Sequence, residues 1–150
     1  MEGLNGKCYC GRIQYQIKED CEPFIATYCH CESCRRAHAA PVYHVVYVKE
    51  EDFRVTRGLE LLTRFRMHEG TMVTRAFCSV CGTRIMNILH NKPWFGFFPA
   101  TLYEDTQQNL PDKFQPTLHY CGDEAVIDVF RLDPALPVVG STPLSPASSS

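Results

Sequence analysis

The sequence predicts an all-β domain, and three observations carry that reading. Short runs of alternating or β-branched residues recur along the chain, turn residues separate them, and only one short segment has helical character. Strands in a βαβ architecture would need helices between them, and none is present at the required spacing. At 150 residues the chain has room for about one domain, and a globule of that size buries roughly 68–70% of its unfolded surface. With 45% hydrophobic, 11% aromatic and 21% charged residues, the composition is that of a packed protein and excludes a wholly disordered chain.

Taken in order, Arg12–Lys18 alternates, with Ile13, Tyr15 and Ile17 on one face and Arg12, Gln14, Gln16 and Lys18 on the other, the pattern of a half-buried strand. Ser33–Ala39 is the helical candidate. Pro41–Val48, rich in Val and Tyr, reads as a more buried strand. Phe53–Arg57 and Leu61–Arg66 around Gly58 suggest a hairpin, and a second one turns at Glu69-Gly70 and returns along Met72–Phe77. Thr83–Leu89, Phe95–Thr101 and Ala125–Leu132 complete the strands. Glu104–Pro116, polar with two prolines, reads as a surface loop. The domain is expected over residues 1–136, with a Pro/Ser-rich, disordered tail over residues 137–150.

Fifteen Lys+Arg against seventeen Asp+Glu give a net charge of −2, so no overall basic field attracts nucleic acid or an anionic membrane. No run approaches the roughly 18 apolar residues of a membrane span. The opening MEGLNGKCYC lacks a basic segment followed by an apolar one, so no secretory signal is read and a cytoplasmic location is expected.

The nine cysteines dominate the rest of the argument. Their number is odd, and in a reducing compartment a disulfide framework is the weaker reading. Seven fall into tight groups, Cys8-x-Cys10, Cys29-x-Cys31-x-x-Cys34 and Cys78-x-x-Cys81. A short turn between two cysteines points both thiolates at one ion, which favours Zn²⁺; iron–sulfur spacings are not reproduced. Cys21 and Cys121, which stand alone, read as small buried hydrophobes.

Two closed tetrahedral sites need eight ligands, and the groups supply seven. One partition places Cys8, Cys10, Cys78 and Cys81 on one ion, tying the amino-terminal segment to the turn before Thr83–Leu89. Cys29, Cys31 and Cys34 then form a three-thiolate site, and three protein ligands with an exchangeable fourth position mark a catalytic zinc. Two alternatives stay open: the Cys-x-Cys units can be exchanged between sites, and His30, His38 or His44 can close the second site. His30 alternates with its flanking cysteines and is expected to point away.

A zinc bearing three thiolates carries a formal charge of −1, which makes it a poor generator of hydroxide but a good partner for a further soft ligand, since a coordinated thiol loses its proton. The expected chemistry is activation of a substrate sulfur at a carbon–sulfur bond. Arg35 and Arg36, directly after Cys34, can pair with substrate carboxylates. Beyond the second hairpin, His90, Trp94 and Phe95 can shape a pocket. His119 and Tyr120 can donate a proton.

Gly6-Lys7-Cys8-Tyr9-Cys10-Gly11, Tyr28-Cys29-His30-Cys31-Glu32-Ser33-Cys34-Arg35-Arg36 and Phe77-Cys78-Ser79-Val80-Cys81-Gly82-Thr83 together resemble the glutathione-dependent formaldehyde-activating enzyme family, which also includes centromere protein V. The resemblance runs in register from about Gly6 to Thr83 and more loosely to about Leu132. It implies an Mss4-like fold with two zinc ions per chain, structural at Cys8, Cys10, Cys78 and Cys81 and catalytic at Cys29, Cys31 and Cys34. The implied reaction joins the glutathione thiol to formaldehyde, giving S-hydroxymethylglutathione, a carbon–sulfur lyase chemistry. One departure stands out: members often carry Gly-Ala-Pro where this chain has Ala39-Ala40-Pro41.

The competing function is a non-catalytic zinc module that binds a protein partner, in the manner of centromere protein V. Such a binder is expected to carry a basic, extended tail. The short uncharged tail and the charge of −2 favour the enzyme, with a small thiol as its partner.

Overall fold

The computed structural model describes residues 3–128 and 133–141. The chain is mostly β, with two sheets and few helices. Its strands are β1 (Gly3–Lys7), β2 (Gln14–Lys18), β3 (Ile25–Cys29), β4 (Tyr43–Lys49), β5 (Phe53–Arg57), β6 (Leu62–Phe65), β7 (Val73–Cys78), β8 (Arg84–Leu89), β9 (Trp94–Phe97) and β10 (His119–Tyr120); the helices are α1 (Glu32–His38) and α2 (Glu104–Gln108). A three-stranded sheet runs β1-β2-β5, and a seven-stranded sheet runs β10-β3-β4-β9-β8-β7-β6. Neighbours are antiparallel except β10, which lies parallel to β3.

The alternation read in β2 is borne out. Ile13, Tyr15 and Ile17 are fully buried and meet Val46, Val48, Phe53, Met86 and Phe97 in a core shared by both sheets. Burying each of these large apolar side chains contributes about 1.5–3 kcal/mol. β1, with two glycines and an asparagine, has little strand propensity of its own. It forms because it pairs with β2, and Gly6 lies opposite Tyr15, where a Cβ would sit 2.1 Å from the ring.

Several expectations need correction. Phe53–Arg57 and Leu61–Arg66 do not form a hairpin: β5 pairs with β2 in the small sheet, and β6 pairs with β7 in the large one. The chain crosses between sheets at Gly58, whose φ is +78° and whose Cβ position is 2.2 Å from the Arg12 carbonyl oxygen, so only glycine fits there. The second hairpin, β6 to β7, does turn at Glu69-Gly70. The strand expected to Thr101 ends at Phe97, because Pro99 fixes φ and opens a 3₁₀ turn over Pro99–Thr101. The loop expected at Glu104–Pro116 contains α2 and a 3₁₀ turn that drives Phe114 fully into the core, edge-on to Phe97 at 5.4 Å. Of the strand expected at Ala125–Leu132, residues 125–128 are irregular and residues 129–132 lie outside the described residues. Where the sequence suggests a tail from Pro137, the backbone pairs instead. His119 N–H donates to the Pro137 carbonyl at 2.8 Å and Val139 N–H to the His119 carbonyl at 2.9 Å. Residues 142–150 lie outside the described residues.

The two faces of the large sheet differ, and this positions the site. One face carries Val46, Val48 and Phe97 toward the small sheet. Tyr43, Val45 and Tyr47 alternate onto the other face, where they gather with Phe98, Cys29, Cys31 and Cys34.

Candidate metal centres

Cys8, Cys10, Cys78 and Cys81 have their four sulfurs within 4.8 Å of one another. Two like-built turns hold them. After β1, Cys8 N–H bonds to the Ile13 carbonyl at 3.0 Å and Gly11 N–H to the Cys8 carbonyl at 3.0 Å. After β7, Cys78 N–H bonds to the Thr83 carbonyl at 2.9 Å and Gly82 N–H to the Cys78 carbonyl at 2.8 Å. Gly11 and Gly82 have φ of +77° and +78° with open space around them, so backbone conformation alone calls for glycine. Backbone amides point at the sulfurs, Ile13 N–H at Cys8 Sγ (3.3 Å) and Val80 N–H at Cys78 Sγ (3.4 Å). Thr83 Oγ1 lies 3.2 Å from Cys81 Sγ. Burial opposes ionisation of Cys81, yet Thr83, the Cys10 backbone and Cys78 together outweigh it and draw the pKa down to about 6.

Cys29, Cys31 and Cys34 also have their sulfurs within 4.8 Å of one another. Cys29 ends β3, Cys31 is the N-cap of α1 and accepts the Cys34 N–H on its sulfur at 3.4 Å, and Cys34 lies buried in the first turn. The expected helix Ser33–Ala39 thus begins one residue earlier, with a thiol as its cap. Hydrogen bonds from Cys29 and Cys31 hold the Cys34 thiol well below the ordinary thiol range, with Arg75 adding to the effect, while Cys29 and Cys31 are pushed up. Three thiols this close share their protons unequally, and a divalent cation would let all three ionise.

Clustered thiolates are donor sets suited to zinc, and in the four-cysteine cluster the spacing matches as well. Zn–S bonds near 2.3 Å place tetrahedral sulfurs roughly 3.8 Å apart. Cys8 to Cys10 is 3.5 Å and Cys10 to Cys78 is 3.9 Å. The two clusters could therefore hold metal ions, one joining the hairpins of the two sheets and the other on the far face of the large sheet.

The histidines read as possible closing ligands are placed as follows. His30 points away from its flanking cysteines to His119, and His44 donates from Nε2 to the Phe114 carbonyl at 2.8 Å. His38 stacks on Tyr43 (centroids 4.3 Å apart) and edge-on to Phe98 (4.7 Å), and its buried Nε2 has no hydrogen-bond partner. Its ring nitrogens do not join the three sulfurs in their cluster.

Of the expected substrate contacts, Arg35 donates from Nε to the His30 carbonyl at 3.0 Å, and Arg36, exposed, pairs with Glu32 at 3.1 Å. Trp94 stacks on Phe24 and lies opposite Lys49, six residues along β4 from Tyr43 and so roughly 20 Å from that end of the strand. His119 is fully buried beside His30.

Sequence reasoning missed three neighbours of the three-cysteine cluster. Tyr43 lies opposite Cys29 in the sheet, and its phenol is close enough to Cys34 for the two to interact electrostatically. Cys121, buried as expected, approaches Cys29 from the end of β10, its sulfur outside the group formed by the three. Arg75 reaches across from β7 and places Nη2 3.5 Å from both Cys34 Sγ and Ser33 Oγ. In the sequence Arg75 alternates with buried Thr74 and Ala76, which reads as a solvent-facing position; only the placement of α1 over that face reveals its role.

The family model for glutathione-dependent formaldehyde-activating enzymes matches residues 3–122. The chain belongs to that family. The expected relation to centromere protein V is not shown. No match is found among curated proteins. Among solved structures, a Rhodobacter sphaeroides protein aligns with a TM-score of 0.57 at 21% identity, covering 91% of this chain and 100% of the other, a likeness of fold alone. No helix among the described residues is long and apolar enough to cross a membrane.

Proposed function

We propose that the chain is a zinc-dependent carbon–sulfur lyase acting on a small thiol adduct, with glutathione and formaldehyde giving S-hydroxymethylglutathione as the reaction its family suggests. The architecture is read as Mss4-like. The observation that carries the reading is the unequal donor count: four clustered sulfurs at one place and three at the other. Four thiolates saturate a tetrahedral ion and serve structure, whereas three leave a position for a substrate.

Cys8, Cys10, Cys78 and Cys81 are assigned the structural ion, and Cys29, Cys31 and Cys34 the catalytic one. The bound ion would supply a thiol held as thiolate. The chain's own residues do the rest. Cys34, nested in α1, fixes the site against the sheet, and Tyr43, opposite Cys29, offers an O–H beside the cluster. In the reaction the sulfur forms a bond to the carbonyl carbon, and the carbonyl oxygen takes up the proton lost from the thiol. Arg36, exposed on α1 and paired with Glu32, would meet a carboxylate of the thiol substrate by exchanging that partner, whereas Arg35 and His119 serve mainly to brace the chain around Cys29–Cys31.

The second reading is a closed, purely structural site, favoured by the contact between Cys121 and Cys29. Two-dimensional exchange NMR of glutathione and formaldehyde separates the two. The enzyme reading expects zinc-loaded protein to speed adduct exchange and the Cys31→Ser variant to lose that effect. Exchange no faster than in buffer, at full zinc content, would leave the structural reading.

A further inference from the structure

Four cross-strand neighbours form a row on the face that carries the three cysteines: Tyr47 of β4, Gly96 of β9, Asn87 of β8 and Arg75 of β7. Tyr47 lies over Gly96, where a Cβ would come within 2.8 Å of its ring, and its hydroxyl accepts from Asn87 Nδ2 at 3.3 Å. Asn87 is 1% exposed. On β7 the row carries the Arg75 guanidinium. Its Nη2 faces Cys34 Sγ and Ser33 Oγ, while its Nη1 is buried and has no hydrogen-bond partner.

A buried guanidinium N–H without an acceptor is costly, and natural proteins keep such groups where a ligand completes them. The charges at the site say which ligand. Three thiolates on a divalent ion leave a net negative charge, and a further thiolate doubles it. In the four-cysteine cluster two backbone amides face the sulfurs. In the three-cysteine cluster the neutral Cys34 N–H and the Ser33 hydroxyl lie on the sulfurs, and Arg75 brings a positive charge to them.

We propose that Arg75 is the anion-binding residue of the three-cysteine site, its Nη2 holding Cys34 and its Nη1 hydrogen-bonding a thiolate that binds as the fourth ligand. This rests on the reading of that site as open. It makes Arg75 a specificity determinant: the site prefers an anionic sulfur ligand to a neutral one because the guanidinium offsets the added charge. Lysine cannot reproduce the fork, since it offers a single point charge.

The test uses protein loaded with Co²⁺ at both clusters, whose visible spectrum reports the ligands directly. The probes are 2-mercaptoethanol, which binds as an anion, and imidazole, which binds neutral. Arg75→Met is expected to weaken 2-mercaptoethanol binding tenfold or more with imidazole binding changed less than twofold, and Arg75→Lys to fall between. Equal weakening of both probes, or no weakening of the thiol, overturns the proposal. If Arg75→Met sheds the ion, Arg75→Lys decides, and thiol binding equal to wild type counts against it. A wild-type spectrum that ignores both probes instead defeats the open-site reading itself.

Discussion

His30 Nε2 lies 3.0 Å from His119 Nδ1, and both rings are fully buried. His119 Nε2 faces the Asp133 carbonyl at 3.1 Å and must donate to it. A neutral His119 then accepts at Nδ1, so His30 donates from Nε2. This chain of bonds joins the segment between Cys29 and Cys31 to the edge strand β10 and to Asp133, and it turns the His30 ring away from the sulfurs. His119→Phe strands the His30 N–H in the interior, and a loss of about 1–3 kcal/mol in denaturant unfolding is expected. A loss under about 0.5 kcal/mol would mean the pair is not a real brace.

The two clusters should respond unequally to loss of a sulfur. Cys81→Ser removes one of four ligands from the ion that would join the two sheets, and structural zinc supplies folding energy. Thermal unfolding should show Cys81→Ser severely destabilised, with Cys31→Ser folded near the wild-type temperature and lacking activity. Equal melting of the two variants would contradict the division of roles.

Ala39 closes α1 with φ of +51°, in the left-handed region. A Cβ there is strained, and glycine is the usual residue. The departure from Gly-Ala-Pro noted in the sequence is therefore a local cost in backbone energy. Ala39→Gly is expected to raise stability by about 0.5–1 kcal/mol, measured as a shift in the urea midpoint at unchanged slope.

His38 sits among Tyr43 and Phe98, and burial pulls its pKa down to about 4 from its ordinary 6.5. The folded state resists protonation while the unfolded chain accepts it, so this stability is complete above about pH 6.5 and declines as pH falls toward 4. The loss is on the order of 3 kcal/mol. His38→Phe keeps the stacking and should flatten unfolding free energy over that window; an unchanged slope would assign the acid sensitivity to other groups.

How much of this was legible beforehand follows from where the determining contacts lie. The β2 alternation, the short helix and the three cysteine groups are local patterns, and each is found, the helix shifted by one residue at its start. β1 was missed because its glycines disfavour a strand until Tyr15 covers them, and β3 because its signal is short and ends in ligands. The false hairpin at Gly58 came from reading adjacency in sequence as pairing, whereas a left-handed glycine sends the chain to the other sheet. At the site the cysteines announce themselves by spacing. Arg75, Tyr43 and Cys121 do not, because sheet register and the placement of α1 bring them there.

The most direct test of two unlike metal sites is zinc K-edge absorption on fully loaded protein of known zinc content, prepared with a phosphine reductant. Two ions per chain should appear, with an average of about three and a half sulfurs per zinc and a lighter N or O neighbour making up the shell. Four sulfurs around every zinc, or a single ion per chain, would contradict the account.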